Sequence, residues 1–432
     1  MEINLSFCYI YSCLVFAIMI CYIFYKRSIF RLNFFVFLWW SISSLASCVF
    51  CYIYQPLLEG LSPQALMYFY ACLLMMAYSI YGFDEAKIRI TNINRYNSFI
   101  CKFSIILGVL SIPPLIENLF FVFSHSNMNF VVDQHDMLNS GDIKSHLSFI
   151  SEKSHNFCAH FADIYGVLFC TIILNAQRNK FALIMIAIAT TEQVLNSVSN
   201  GSRGYIAYLA LMFAISYSIF YRHYPVKFKK TVNKYIGVIC FAIVSVLLLV
   251  SSARVKTVDT TYLNVTSEQA ELASYSLYIG EGPIRFSSFA WDKLKDYTYG
   301  HSLFDIFASP LDGNYFQNSS ERRNWVAWQT GLKYPQVFYG LPGFAYIDFG
   351  FWGGMIIIIL FCVLFKYILN KQNNYDLIRI FGSVIVYKIC FFLTMFFPYS
   401  YSKMLDVIYV SIFLVVLRSH SQAHLRYKTK FK

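Results

Sequence analysis

The sequence predicts an all-α polytopic integral membrane protein, and three observations carry that prediction. Of the 432 residues, 57% are hydrophobic and only 13% charged, about half the charged share of a soluble domain. Apolar stretches of about 20 residues, the length that crosses a bilayer, recur from Ile3 to Leu417. Basic residues collect in alternate connections between those stretches, as expected of membrane helices with one fixed orientation. A soluble core could not bury this much apolar surface. The formal charge of +12 therefore speaks first to orientation and not to nucleic acid.

The first run, Ile3 to Tyr25, is too long for a signal core and no small-residue cleavage site follows it, so it reads as the first span. Further spans are expected at 33–54, 64–82, 98–123, 157–174, 181–199, 204–221, 235–252, 346–367, 379–397 and 401–417, giving about 11 helices. Pro113 and Pro114 are expected to break or kink the fourth. Lys26, Arg27 and Arg31 follow the first span, and Lys87, Arg89, Arg95 and Lys102 the third. Arg178 and Lys180, then Arg222, Lys227, Lys229, Lys230 and Lys234, then Lys366, Lys371 and Arg379 mark the next connections on the same side. Arg418, Arg426, Lys428, Lys430 and Lys432 close the tail. This side is cytoplasmic by the orientation rule. The short connections opposite carry only Arg203 and Lys403, which places the amino terminus outside and the carboxyl terminus inside.

Two long segments face outward, 124–156 and a large one, 253–345, between helices 8 and 9. The first carries His125, His135, His146 and His155, whose separations match no short metal-ligand spacing. In the second, Thr266 and Gln269 have the form of a capping box before a helical run to Tyr278, and Ser302 to Phe307 reads as an interfacial amphipathic turn. Of the twelve cysteines only Cys48 and Cys51 are spaced as a Cys-x-x-Cys pair, with no second pair to complete a metal site; small core residues are the better reading. No cysteine lies between Arg254 and Ala345, so order there cannot depend on disulfides. With no internal repeat or low-complexity tract, residues 1–432 read as a single transmembrane domain with two outward loops.

Arg203 is the most informative single residue, because Gly201-Ser202-Arg203-Gly204 lies between two helices on the side where positive charge is disfavoured. Gly201 and Gly204 let backbone approach a ligand closely, and a guanidinium offers a planar fork of donors for phosphate or carboxylate oxygens. The alternative is an arginine snorkelling to head groups or paired with an acid. The large segment adds Arg254, Arg285, Arg322 and Arg323, but its eight basic residues face nine acidic ones, so anion binding there must come from placed arginines and not from a diffuse field. Glu117, Asp163, Glu192, Lys388 and Asp406 fall inside apolar spans and Asp348 near a helix start; ionisable groups in such positions are functional candidates, though structural ion pairs explain them equally. No Walker loop, dinucleotide fingerprint, Gly-x-Ser-x-Gly or His-Glu-x-x-His is present, which argues against nucleotide-driven chemistry.

The layout, with Gly201-Ser202-Arg203-Gly204 opening a helix and Gly340-Leu341-Pro342-Gly343 leading through Tyr346, Asp348, Phe349-Gly350 and Gly353 into the membrane, resembles the bacterial O-antigen polymerases, the Wzy-type oligosaccharide repeat unit polymerases. An arginine followed by glycine eleven positions later, found in outward loops of some members, is missing, since Ala214 and Val265 stand there. The resemblance implies an inner-membrane glycosyltransferase with a periplasmic active face that uses no nucleotide sugar; no cofactor is expected, and no ligand cluster in the sequence calls for a metal. It would transfer a glycan from undecaprenyl pyrophosphate to the non-reducing end of another lipid-linked repeat unit, with a separate co-polymerase setting chain length. Arg203 and Arg254 stand where pyrophosphate-holding arginines are expected, while Asp348, Glu281 or His301 would accept the proton of the attacking hydroxyl; Gly201, Gly204, Arg285, Arg322 and Arg323 complete the expected binding set. Aromatic residues of the large segment, such as Trp325 and Trp328, suit either sugar stacking or interfacial anchoring. An O-antigen ligase shares this chemistry. A lipid-linked oligosaccharide flippase would instead show short loops on both sides and repeated halves.

Overall fold

The computed structural model describes residues 2–26, 31–91, 93–124, 146–175, 179–200, 203–230, 233, 270–316, 319–333, 339–369, 374–399 and 403–430. The expected span at 235–252, the Thr266–Gln269 cap, His125, His135, Gly201 and Arg254 lie outside them. The long elements are α1 (Glu2–Lys26), α2 (Leu32–Ile53), α3 (Pro63–Ile80), α4 (Ile93–Ser124), α5 (Phe149–Ala159), α6 (Tyr165–Leu174), α7 (Lys180–Ser199) and α8 (Arg203–Phe220). They continue with α9 (Ala270–Arg285), α10 (Asp305–Asp312), α11 (Ser319–Thr330), α12 (Gly340–Ile368), α13 (Leu377–Phe392) and α14 (Met404–Lys430). Among the described residues the only sheet is a parallel pairing of β1 (Arg89–Ile90) with β2 (Asn374–Tyr375).

Seven of these helices are long and apolar enough to cross a membrane, or eight when the pair α5–α6, bent by 48°, is taken as one span. This is the architecture of an all-α polytopic membrane protein. The exposed stripe Trp352, Ile356, Leu360 and Val363 on α12 repeats at helical spacing, an apolar face suited to lipid. Three expectations change. The fifth span is a broken pair beginning at Phe149, because a tight turn at Ala162–Ile164 interrupts it. Of the break or kink expected at Pro113 and Pro114, the break is absent: the fourth helix runs through both prolines, as membrane helices tolerate when freed carbonyls find other partners. Helix α13 stops at Phe392, short of the expected 397.

The chain forms two compact units, one drawn from Met1–Asp84, Val255–Lys371 and Val386–Met404, the other from Glu85–Arg254, Gln372–Ile385 and Leu405–Lys432. In the first, α1, α2 and α3 pack together, α9 lies on α2 and α12 on α3. Small residues make the α2–α9 contact possible: a Cβ on Gly280 would lie 2.3 Å from the Ala46 carbonyl carbon, and the Ser43 and Ser47 hydroxyls donate to the carbonyls of Ile279 and Gly280 at 2.8 Å each. Asn33 donates its amide to the Ile80 and Phe83 carbonyls, and the Trp40 indole donates to the Cys390 carbonyl at 2.7 Å. In the second unit α4 runs beside α7, where Gly108 meets the Met185 backbone, and Gly166 of α6 meets Ser216 of α8. Phe103, Phe161 and Phe413 join α14 to this bundle.

Candidate functional site

Two polar clusters stand out from the apolar helices, one in each unit. The first is a cap built by residues 291–316 and 319–330 on the start of α12. Its turns require left-handed backbone at Asp292 (φ 53°), Tyr299 (φ 49°) and Gly300 (φ 105°). The connection runs along α12, with Thr298 N donating to the Ile347 carbonyl at 3.1 Å and Tyr299 N to the Asp348 carbonyl at 3.0 Å. The fully buried Asp348 carboxylate then accepts from Ser302 N at 2.9 Å, Leu303 N at 2.8 Å and the Thr298 hydroxyl. α12 turns sharply two residues later at Gly350 (φ 70°), where a Cβ would meet the Tyr297 ring at 2.8 Å. Asp348 is thus the post on which the cap is mounted.

His301 is the hub of the cap. Its Nδ1 meets Asp305 Oδ1 at 2.6 Å and its Nε2 meets Asp312 Oδ2 at 2.7 Å, while its ring packs edge-on to Phe316 and Trp325. Burial disfavours the imidazolium, but the hydrogen bonds to Asp305 and Asp312 outweigh it and raise the His301 pKa. Asp312 answers in the opposite sense: desolvation pushes its carboxyl up, yet the bonds from His301 and Asn314 pull it down to about 2. Arg322 of α11 donates from Nη1 to the His301 carbonyl at 2.9 Å. Asp296 accepts from Gln329 and from the Tyr299 hydroxyl, both at 2.8 Å, which ties α11 to the turn. Lys293 and Lys333 flank Glu59 at 3.4 and 3.5 Å.

Glu281 and Arg285 lie on α9 and are largely buried. They pair with each other at 2.7 Å, the guanidinium resting 5.3 Å from the centre of the Phe50 ring. The structure therefore brings together His301, Arg322 and Asp348, and separately Glu281 with Arg285; Arg323 follows Arg322 on α11. Both ring nitrogens of His301 are held by carboxylates and both oxygens of Asp348 by backbone and hydroxyl donors, so these two residues organise the cap and are poorly placed to take a proton. Arg203 and Gly204 open α8 in the other unit.

That second unit holds the other cluster. Glu117 of α4 accepts from Ser148 N (2.7 Å), Ser148 Oγ (2.6 Å) and Ser151 Oγ (2.7 Å), so it caps α5. Asn118 Oδ1 lies 2.9 Å from both His146 Nε2 and Ser199 Oγ. His155 of α5 meets Glu192 of α7 through Nδ1 at 2.7 Å, and Asn196 Nδ2 lies 3.0 Å from its Nε2. His160 meets Asp406 at 2.7 Å and stacks on Tyr409. In the sequence His155 and Glu192 stand apart, but Glu192, Asn196 and Ser199 at positions i, i+4 and i+7 mark one polar helix face, the signal from which this cluster is legible. Among the described residues no group of His, Cys, Asp or Glu is arranged to hold a metal ion. No protein-family model, no curated protein and no solved structure matches this chain.

Proposed function

We propose that this protein is an O-antigen polymerase, a glycosyltransferase of the bacterial inner membrane that extends a lipid-linked glycan on the periplasmic side. In this reading the amino terminus and the cap are periplasmic and the carboxyl terminus cytoplasmic, following the basic residues of the short connections. The donor is a glycan on undecaprenyl pyrophosphate and the acceptor is the non-reducing end of another lipid-linked repeat unit. No nucleotide sugar is needed, because the pyrophosphate linkage is the leaving group. A separate co-polymerase sets chain length.

The single observation that carries the reading is the cap. A segment that a transporter would keep short is here folded, aromatic and arginine-bearing, and it is mounted on a buried carboxylate of α12. Trp328 (74% exposed) and Tyr299 (61% exposed) offer flat faces for sugar rings. Arg203 and Arg254 supply fixed positive charge where negative charge gathers on the departing pyrophosphate. Arg285, already bound to Glu281, is a poorer candidate for that role.

The test is to express Arg203→Ala and Arg254→Ala separately in the native host, confirm membrane levels, and compare surface polysaccharide on a gel. Lipid A core carrying a single repeat unit is the expected product. Core with no repeat would reassign the protein to ligation or flipping, and an unchanged ladder would remove both arginines from the chemistry.

A further inference from the structure

We propose that His155 is the general base that takes the proton from the acceptor sugar hydroxyl, and that Glu192 is its positioning residue; this rests on the polymerase reading above. The arrangement is a carboxylate-oriented imidazole. Glu192 is wholly buried and Oε1 holds His155 Nδ1 at 2.7 Å, which fixes the hydrogen on Nδ1 and leaves the lone pair on Nε2. That lone pair accepts from the neutral amide of Asn196 at 3.0 Å, the partner that an acceptor hydroxyl displaces in this proposal. His155 itself keeps 15% of its side chain exposed, so the ring is reachable. By contrast, both nitrogens of His301 are held by carboxylates.

A second observation points to the ligand. Two amides touch the His155 ring: Gln193 through Nε2, 3.4 Å from Nδ1, and Asn196 through Nδ2. The other atom of each amide, Gln193 Oε1 and Asn196 Oδ1, is buried with no hydrogen-bond partner. Gln193 as a whole is 1% exposed. Unmet buried acceptors are costly, and here they gather around one imidazole. A sugar, which presents several O–H donors, has the chemistry to meet them. Glu192 and Asn196, which hold the His155 ring, end α7 eleven and seven positions before Arg203, the first residue of α8.

The step balances without a further reactant. The acceptor hydroxyl oxygen attacks the anomeric carbon of the donor glycan as its proton passes to His155 Nε2. The bond from that carbon to the phosphate oxygen breaks, and undecaprenyl pyrophosphate departs with the electron pair. The imidazolium is stabilised by the Glu192 carboxylate until the proton is released to solvent.

The experiment uses full-length protein in isolated membranes supplied with lipid-linked repeat units, with product length read on a gel. His155→Ala should slow chain extension about 100-fold or more, the range for losing a general base, and added imidazole should restore part of it. Glu192→Gln should lower kcat with little change in KM. Should the alanine variant fail to accumulate, His155→Gln, which keeps a hydrogen-bonding side chain, takes its place, with the same loss expected. Wild-type rates in either histidine variant, or a loss that imidazole leaves untouched in the alanine variant, would overturn the assignment and leave the polymerase reading standing. Wild-type membranes that extend nothing would reject the polymerase reading itself, and the base with it.

Discussion

Replacing Asp348 separates a mounting post from a proton acceptor. In Asp348→Ala the amides of Ser302 and Leu303 lose their acceptor in a site that is fully buried. An unmet buried donor costs about 1–3 kcal/mol, so the two backbone groups alone put the loss at about 2–6 kcal/mol, before the Thr298 hydroxyl is counted. Asp348→Asn keeps one oxygen and turns an NH2 toward a donor, so about half of that loss is expected. At 1.4 kcal/mol per tenfold, a mid-range loss of about 4 kcal/mol raises local opening of the cap by nearly three orders of magnitude. Amide hydrogen exchange on protein in nanodiscs reads this directly at Ser302 and Leu303. Faster exchange in the order wild type, Asn, Ala is expected, together with loss of polymer. Loss of polymer with exchange unchanged in both variants would refute the anchoring role and restore Asp348 as a candidate base.

The His301 hub carries a pH dependence of defined sign. Its raised pKa contributes stability that is complete below the ordinary value of 6.5 and fades as pH rises through the folded value. The lowered Asp312 contributes stability that is complete above its ordinary 3.8 and is lost as pH falls through about 2. Exchange protection across 296–316 should therefore be greatest between about 4 and about 6.5; the Asp312 share is weakened by solvent, its side chain being 40% exposed. Protection still rising above pH 8 would contradict this. In Gly280→Ala the new methyl meets the Ala46 backbone, which cannot move aside as a flexible side chain could, so α9 must separate from α2. A loss of about 1–3 kcal/mol is expected by thermal unfolding in detergent, and an unchanged transition would show that the two helices do not depend on this contact.

The long spans were legible because composition alone marks them: α1, α2, α3, α4, α7, α8 and α12 all overlap expected spans. The broken pair α5–α6 was not, since its interruption at Ala162–Ile164 is a local backbone choice inside an apolar run. The helical run to Tyr278 was legible and is present in α9, but where that helix packs was hidden. Its contact depends on small residues of α2 more than two hundred positions earlier, where Ser43 and Ser47 meet Ile279 and Gly280. Asp348 stood out as an ionisable group near a helix start, but its role depends on donors 45 to 50 residues away in the chain. His155 and Glu192 were each visible, and only folding, across 37 positions, makes them a pair.

Whether this protein polymerises glycans by itself is decided with purified protein reconstituted in liposomes with lipid-linked repeat units and no nucleotide sugar. A ladder of longer lipid-linked glycans and stoichiometric release of undecaprenyl pyrophosphate are expected. Glycans that stay one repeat long, and move only when lipid A core is added or only from one leaflet to the other, would contradict the polymerase reading.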